Sequence, residues 1–265
     1  MNIASTGLIY FSPTHTTKKV VEGIAKGLQA STEQYYDLTP PIACVQAQQE
    51  FTQDVAIIGA PVYAGRLPSI MLSRFRRIEG NGRPAAIVVV YGNRAYEDAL
   101  IELRDLALDV GFRPVAVGAF IGEHSYSTSD LPIAEGRPDA ADLLTAHDFG
   151  KAIRDKLMVG LSCSSEPPPV PGNFPYKEIR MLSGIAPSVN DALCSRCRKC
   201  VLVCPAAAID KEHPTETANE LCIRCCACVK DCPSHAKALD DPRIRQATEW
   251  LYANCSDRKE PEAYL

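Results

Sequence analysis

The cysteines between Cys194 and Cys232 constrain this chain more than any other feature. They fall in two runs of one spacing, Cys194-x2-Cys197-x2-Cys200-x3-Cys204-Pro205 and Cys222-x2-Cys225-x2-Cys228-x3-Cys232-Pro233. Three cysteines two residues apart wrap a tight, mostly non-helical loop whose backbone N–H groups can face what the sulfurs hold. The proline after the fourth turns the chain away. C-x2-C also suits zinc, and cysteine-dense chains can be disulfide frameworks. The triple spacing with Cys-Pro in duplicate is not a zinc-finger pattern.

In this spacing the array resembles the bacterial two-cluster ferredoxins. What the resemblance implies is two [4Fe–4S] clusters, the fourth cysteine of each run crossing to the other cluster. Cys194, Cys197, Cys200 and Cys232 would hold one, and Cys222, Cys225, Cys228 and Cys204 the other. Arg196, Arg198 and Lys199 sit inside the first run, where cations stabilise a reduced, negatively charged cluster. Cys226 lies between ligands, where it could replace one or stand as a bystander thiol.

With 265 residues, one or two domains are expected, and 46% hydrophobic with 23% charged residues describes a globular chain. The net charge of −4 implies no nucleic-acid or membrane field. Thiolate-held clusters need a reducing compartment. The N-terminus has no basic region or long apolar run, and no stretch approaches a membrane span of roughly 20 residues. A cytoplasmic protein of an anaerobic or microaerobic host is the expectation.

Ahead of the array, apolar runs alternate with helix-period segments. Leu8–Phe11 reads as a strand that opens into Ser12-Pro13-Thr14-His15-Thr16-Thr17 and then a helix. A hydroxyl-rich turn at a helix N-terminus suits a phosphate monoester, although Ser and Thr also simply cap helices. A short strand is expected around Tyr35-Tyr36-Asp37, before Pro40-Pro41. Val55–Gly59 and Ala85–Tyr91 are continuous buried-strand runs. They lead into Ala60-Pro61-Val62-Tyr63-Ala64-Gly65-Arg66 and Gly92-Asn93-Arg94-Ala95-Tyr96-Glu97-Asp98. Ile70–Ile78 reads as a helix with Arg74, Arg76 and Arg77 on its solvated face. A helix to about Val110, a strand Val115–Ile121 and a helix Asp139–Val159 complete the alternation, which gives a parallel sheet covered on both faces. Ligands of such sheets bind beyond the strand C-termini, where all three loops lie.

These first 160 residues resemble flavodoxin, whose phosphate loop reads Ser/Thr-x-Thr-Gly-x-Thr; here His15 replaces the glycine. The resemblance implies an α/β flavodoxin-like fold, a doubly wound parallel five-stranded sheet of order 2-1-3-4-5, followed by an α+β dicluster ferredoxin domain. It also implies FMN. The phosphate would lie on Ser12, Thr14, His15, Thr16 and Thr17. The ring would lie between Pro61, Val62, Tyr63, Ala64, Gly65 and Arg66 on one side and Tyr91, Gly92, Asn93, Arg94, Tyr96 and Asp98 on the other. Tyr63, Tyr91 and Tyr96 are the stacking candidates.

The expected organisation is 1–160 flavodoxin-like, 161–189 a proline-rich connector, 190–240 ferredoxin-like, and 241–265 a tail strapping the two together or left disordered. The connector carries Pro167-Pro168-Pro169-Val170-Pro171, which favours a semi-rigid extended chain. The whole looks like the flavodoxin–ferredoxin fusion proteins. The expected function is electron transfer between two [4Fe–4S] clusters and FMN, linking a ferredoxin-type redox partner to an acceptor. The alternative is an FMN-dependent reductase of a small organic substrate, with His124, Ser125 and Tyr126 of the long loop 122–138 as proton donors or binding groups. No G-x-G-x-x-G follows a strand, so direct dinucleotide oxidation is not expected. The oligomeric state is open, a homodimer included.

Overall fold

The computed structural model describes residues 3–44, 47–159, 167–179 and 184–265. Residue 160, the last of the expected flavodoxin-like domain, and parts of the expected connector, 161–166 and 180–183, lie outside the described residues.

Five parallel strands form the main sheet: β1 (Ser5–Tyr10), β2 (Thr32–Asp37), β3 (Val55–Pro61), β4 (Pro84–Tyr91) and β5 (Arg113–Ile121). Their order across the sheet is β2-β1-β3-β4-β5, the flavodoxin-like doubly wound arrangement. Period-two alternation divides the core. Leu8, Tyr10, Val55, Ile57, Ala86, Val88 and Val90 point to one face. There they meet helix α1 (Thr16–Leu28) and helix α4 (Ala140–Met158). Ile9, Phe11, Ala56, Ile58, Ile87 and Val89 point to the other. There they meet helix α2 (Ser69–Phe75) and helix α3 (Ala99–Asp109). β3 and β4 are buried at every residue, which is why they carry no polar alternation.

Helix α2 ends sooner than its apolar spacing suggests, because Ile78–Glu79 leaves to pair with Gln49–Glu50. Its Arg74 is not on the solvated face. The side chain is 2% exposed and donates to Leu38 O at 2.7 Å, Thr39 O at 2.8 Å and Pro205 O at 2.6 Å. The guanidinium fork thus ties the end of β2 to the Cys-Pro corner of the first cysteine run.

The cysteine region is an internal duplication with an offset of 28 residues. Left-handed residues recur at Arg196 and Arg224, Arg198 and Cys226, Ala207 and His235. Helices α5 (Lys199–Val203) and α6 (Ala227–Lys230) start at equivalent places. The Cys204 and Cys232 sulfurs accept from Ala208 N and Ala236 N, each at 3.3 Å. A two-residue ladder, Ser188–Val189 against Lys237–Ala238, closes the unit.

Helix α7 (Pro242–Asn254) begins with proline at its first position and Asp241 accepting from Arg243 N. The chain then crosses back to the sheet. Strand β6 (Glu262–Tyr264) pairs antiparallel with β5, Glu262 opposite Ala119 and Tyr264 opposite Val117. The expectation of a five-stranded sheet is therefore extended by one edge strand. Among the described residues no helix is long and apolar enough to cross a membrane.

Candidate functional site

A cavity of about 560 Å³ opens beyond the C-terminal ends of β1, β3, β4 and β5, within the size range of cofactor pockets. The phosphate-loop residues Thr14 and Thr16 form one end of it. The first-turn amides of α1 have no carbonyl four residues back within the helix. Thr17 Oγ1 is buried with no partner among the described residues. Lys18 N and Lys19 N already donate to Ser12 Oγ and His15 O, so the amides of Thr16 and Thr17 and the Thr17 hydroxyl are the donors at this helix N-terminus that suit a phosphate monoester. His15 holds the glycine position of the loop in a left-handed conformation, φ 65°, so the backbone follows the path a glycine would take. Its ring does not line the cavity but faces Asp231. Ser12 does not reach the cavity either, because its Oγ accepts from Lys18 N at 3.0 Å and caps the helix.

The second wall is the segment Pro61–Ala64. Tyr63 and Arg66 exchange backbone bonds, Tyr63 N to Arg66 O at 2.9 Å and the reverse at 3.1 Å. Ala64 and Gly65 between them have φ of 52° and 83°, a type I′ turn. A side chain on Gly65 would strike Glu97 Oε2 at 2.1 Å. Gly65 and Arg66 shape this loop from outside the cavity. Arg66 makes a two-pronged pair with Glu102, at 2.8 and 2.7 Å, and its guanidinium lies 4.7 Å over the Tyr176 ring. Glu102 also accepts from Leu67 N at 2.9 Å.

The third wall brings Tyr91, Gly92 and Arg94 to the cavity. Asn93, Tyr96 and Asp98 face away from it, each holding another segment. Asn93 Nδ2 donates to Cys255 O at 2.6 Å and Asp257 O at 2.8 Å. Tyr96 donates to Glu262 at 2.8 Å and meets Tyr91 edge-on. Asp98 accepts from Asn173 N at 2.9 Å and Lys177 N at 2.7 Å, anchoring the described part of the connector.

His124, Ser125 and Tyr126 form the fourth wall. The His124 ring packs on Gly92, where a Cβ would meet it at 2.3 Å. Tyr126 N donates to His124 Nδ1 at 3.0 Å, which leaves the ring proton on Nε2. Burial, then the charges of Arg94 and Lys230, push the His124 pKa down to about 4.

Two walls were not foreseen. Ile223 and Arg224, between Cys222 and Cys225, line the same cavity. Burial and then the neighbouring Cys225 and Cys226 raise the Tyr63 hydroxyl well above its ordinary value. Tyr126 is likewise raised by burial and by Cys226, against a hydrogen bond with Arg224. The second cysteine run therefore lies within electrostatic reach of two cavity tyrosines. Ile244, Ala247, Trp250 and Leu251 of α7 supply the other wall. Their spacing is one stripe of a helix, a signal present in the sequence.

Mutual proximity sorts the cysteines. Cys232 acts on Cys197, while Cys194 and Cys197 act on Cys200. Cys204 acts on Cys222, Cys225 and Cys228. Cys204 thus stands near all of the second run's first three cysteines and Cys232 near Cys197 of the first, while Cys200 also acts on Cys228 across the runs. Among the described residues no group of three or more His, Cys, Asp or Glu side chains is placed to hold a single metal ion. Cys197 is exposed, whereas Cys225, Cys226 and Cys228 are buried.

Residues 187–210 match the family described as a 4Fe-4S binding domain. No curated protein matches the chain. Among solved structures it is similar to a flavodoxin from the domain Archaea, at 13% identity and TM-score 0.40, over 58% of this chain and 99% of that one. A Fusobacterium nucleatum flavodoxin bound to flavin mononucleotide matches at 14% and 0.38, over 57% and 98%. Rubredoxin oxygen:oxidoreductase from the anaerobe Desulfovibrio gigas matches at 14% and 0.42; the alignment covers 60% of this chain and 37% of that one.

Proposed function

We propose that the chain transfers electrons between two [4Fe–4S] clusters and FMN, in a reducing cytoplasm, with a redox protein as donor or acceptor at the cluster end. When bound, the clusters would exchange single electrons and FMN one or two, so the pair can match one-electron partners to two-electron ones. The observation that carries this reading is the shared wall: Ile223 and Arg224, between two cluster cysteines, line the cavity formed by the strand-end loops.

The residues fit their groups. Thr14, Thr16 and the orphaned Thr17 hydroxyl would take the FMN phosphate, and Tyr63, Tyr91 and Trp250 would flank the ring. Cys194, Cys197, Cys200 and Cys232 would hold one cluster and Cys222, Cys225, Cys228 and Cys204 the other, in keeping with the proximities above. Burial differs between the two sets, so the exposed Cys197 side would meet a partner and the buried set would face the flavin. Anaerobic purification tests this. The expected product holds one FMN and about eight irons per chain, and flavin and clusters reduce together under limiting dithionite. An iron-free, zinc-loaded protein from such a preparation would sink the reading.

A second reading is reduction of a small organic substrate in the same cavity, favoured by His124, whose Nε2–H is held on the wall as a neutral donor. Reoxidation of the dithionite-reduced protein by small molecules, with no partner present, separates the two.

A further inference from the structure

We propose that Lys237 is a countercharge shared by both iron–sulfur sites, a buried ammonium that makes each cluster easier to reduce; this rests on the two-cluster reading above. Three observations converge on it. The duplication places Ile209 at the equivalent position of the first repeat, where it is 4% exposed, so the fold itself treats this slot as apolar. In the second repeat the slot holds a lysine, 5% exposed and paired through its backbone with Val189. Its Nζ has no partner among the described residues. A buried, unpaired ammonium is costly and persists only where something compensates it.

The compensation lies in the thiols around it. Cys200, Cys222 and Cys228 all lie within electrostatic reach of the buried Lys237 ammonium. Cys200 belongs to the first run and the other two to the second, so a single cation acts on both sites. Arg196, Arg198 and Lys199 are more numerous but exposed, and Arg198 faces Glu212 at 3.4 Å. Water and salt screen them; the buried lysine is screened far less. Adding one electron to a cluster breaks no bond and deepens its negative charge, which a fixed neighbouring cation stabilises.

The test is an anaerobic, EPR-monitored dithionite titration of the full-length protein, with iron counted in every sample. An iron-free wild type would defeat the two-cluster reading before any variant is compared. In Lys237→Met the reduced-to-oxidised ratio of both clusters at a fixed potential should fall about tenfold, a one-electron shift of about 59 mV. Lys237→Arg and Arg198→Met should stay within about threefold of wild type. Iron-replete Lys237→Met or Lys237→Gln at wild-type potentials, or a shift confined to one cluster, would overturn the countercharge alone. If the neutral variants fail to hold iron, retention in Lys237→Arg supports the charge role, and loss there too assigns the position to packing and overturns it.

Discussion

His15 Nε2 lies 3.4 Å from a carboxylate oxygen of Asp231, 216 residues along the chain, and the residue after Asp231 is Cys232. The phosphate loop and a proposed cluster ligand are thereby linked through one exposed pair. Lys230 reinforces the same seam from the other side, reaching Glu123 Oε1 at 2.5 Å and Ser127 O at 2.9 Å. At His15 the glycine of the flavodoxin pattern has been exchanged for a side chain that contacts the neighbouring module while the left-handed backbone is kept.

Replacing His15 by glycine should therefore be nearly neutral. It relieves about 1 kcal/mol of left-handed cost and gives up an exposed pair worth about 0–1 kcal/mol. His15→Val, branched at Cβ and unable to bond locally, should be less stable than His15→Gly by about 2 kcal/mol. Denaturant midpoints of the two variants check this, and equal midpoints would contradict the assigned backbone conformation.

The proposed crossed ligation makes a sharp distinction among cysteines. Cys204→Ala and Cys232→Ala should each lower the iron content to about half and damage one cluster. Cys226→Ser should keep its full iron, because that thiol sits at a left-handed helix start between ligands. Two intact cluster spectra in either alanine variant would disprove the crossing.

The Arg66–Glu102 pair should matter for the flavin loop without touching the flavin. Glu102 is almost wholly buried and receives Arg66 and Leu67 N together. Glu102→Gln leaves the guanidinium with a neutral partner and should cost about 3 kcal/mol, roughly 6–12 °C in the apparent melting temperature. FMN affinity should fall with it, since the Tyr63–Arg66 turn loses its anchor. Calorimetry with and without added FMN measures both effects; an unchanged melting temperature would refute the anchoring role.

His124 gives the protein a pH dependence of definite sign. Its pKa is held down to about 4, against an ordinary value of about 6.5. Between these values the unfolded chain binds the proton more readily than the folded one. The stabilising contribution is complete above about pH 6.5 and is lost as pH falls toward the folded value, on the order of 2 kcal/mol. Denaturation at pH 7 and pH 4.5 should show wild type losing more stability than His124→Asn. Parallel losses in the two proteins would remove His124 as the cause.

The strands were legible where burial on both faces leaves a continuous apolar run, as in Val55–Pro61 and Pro84–Tyr91. The cysteine spacing was legible because local loop geometry dictates it. The burial of Arg74 is not legible in the sequence, because helical period alone cannot reveal carbonyls arriving from Leu38, Thr39 and Pro205. Ile223 and Arg224 carry no local signal for a related reason: their place in the cavity depends on how distant segments dock. Strand β6 was hidden because Glu262-Ala263-Tyr264 is too short and polar to carry a strand signal and is recruited by the free edge of β5.

That edge strand also leads to a prediction about the tail. Beyond α7 the chain contributes Asp257 O to Asn93, Lys259 O to Arg137 at 2.7 Å, the Lys259 ammonium to Arg94 O at 2.5 Å and Glu262 to Tyr96. Every one of these contacts falls on a loop that follows β4 or β5, and none falls on the cysteine runs. Deleting residues 256–265 should loosen the 92–97 segment, expose the edge of β5 and leave the clusters in place. Loss of even about 1.4 kcal/mol of loop order weakens binding tenfold, so the flavin-to-iron ratio of the purified protein should drop while iron per chain stays near wild type. Tyr264→Ala, which keeps the backbone ladder and the Glu262 acceptor, should bind FMN almost normally. A truncated protein with the wild-type flavin-to-iron ratio and FMN affinity would show that the tail only covers a sheet edge and has no part in ordering the flavin loop.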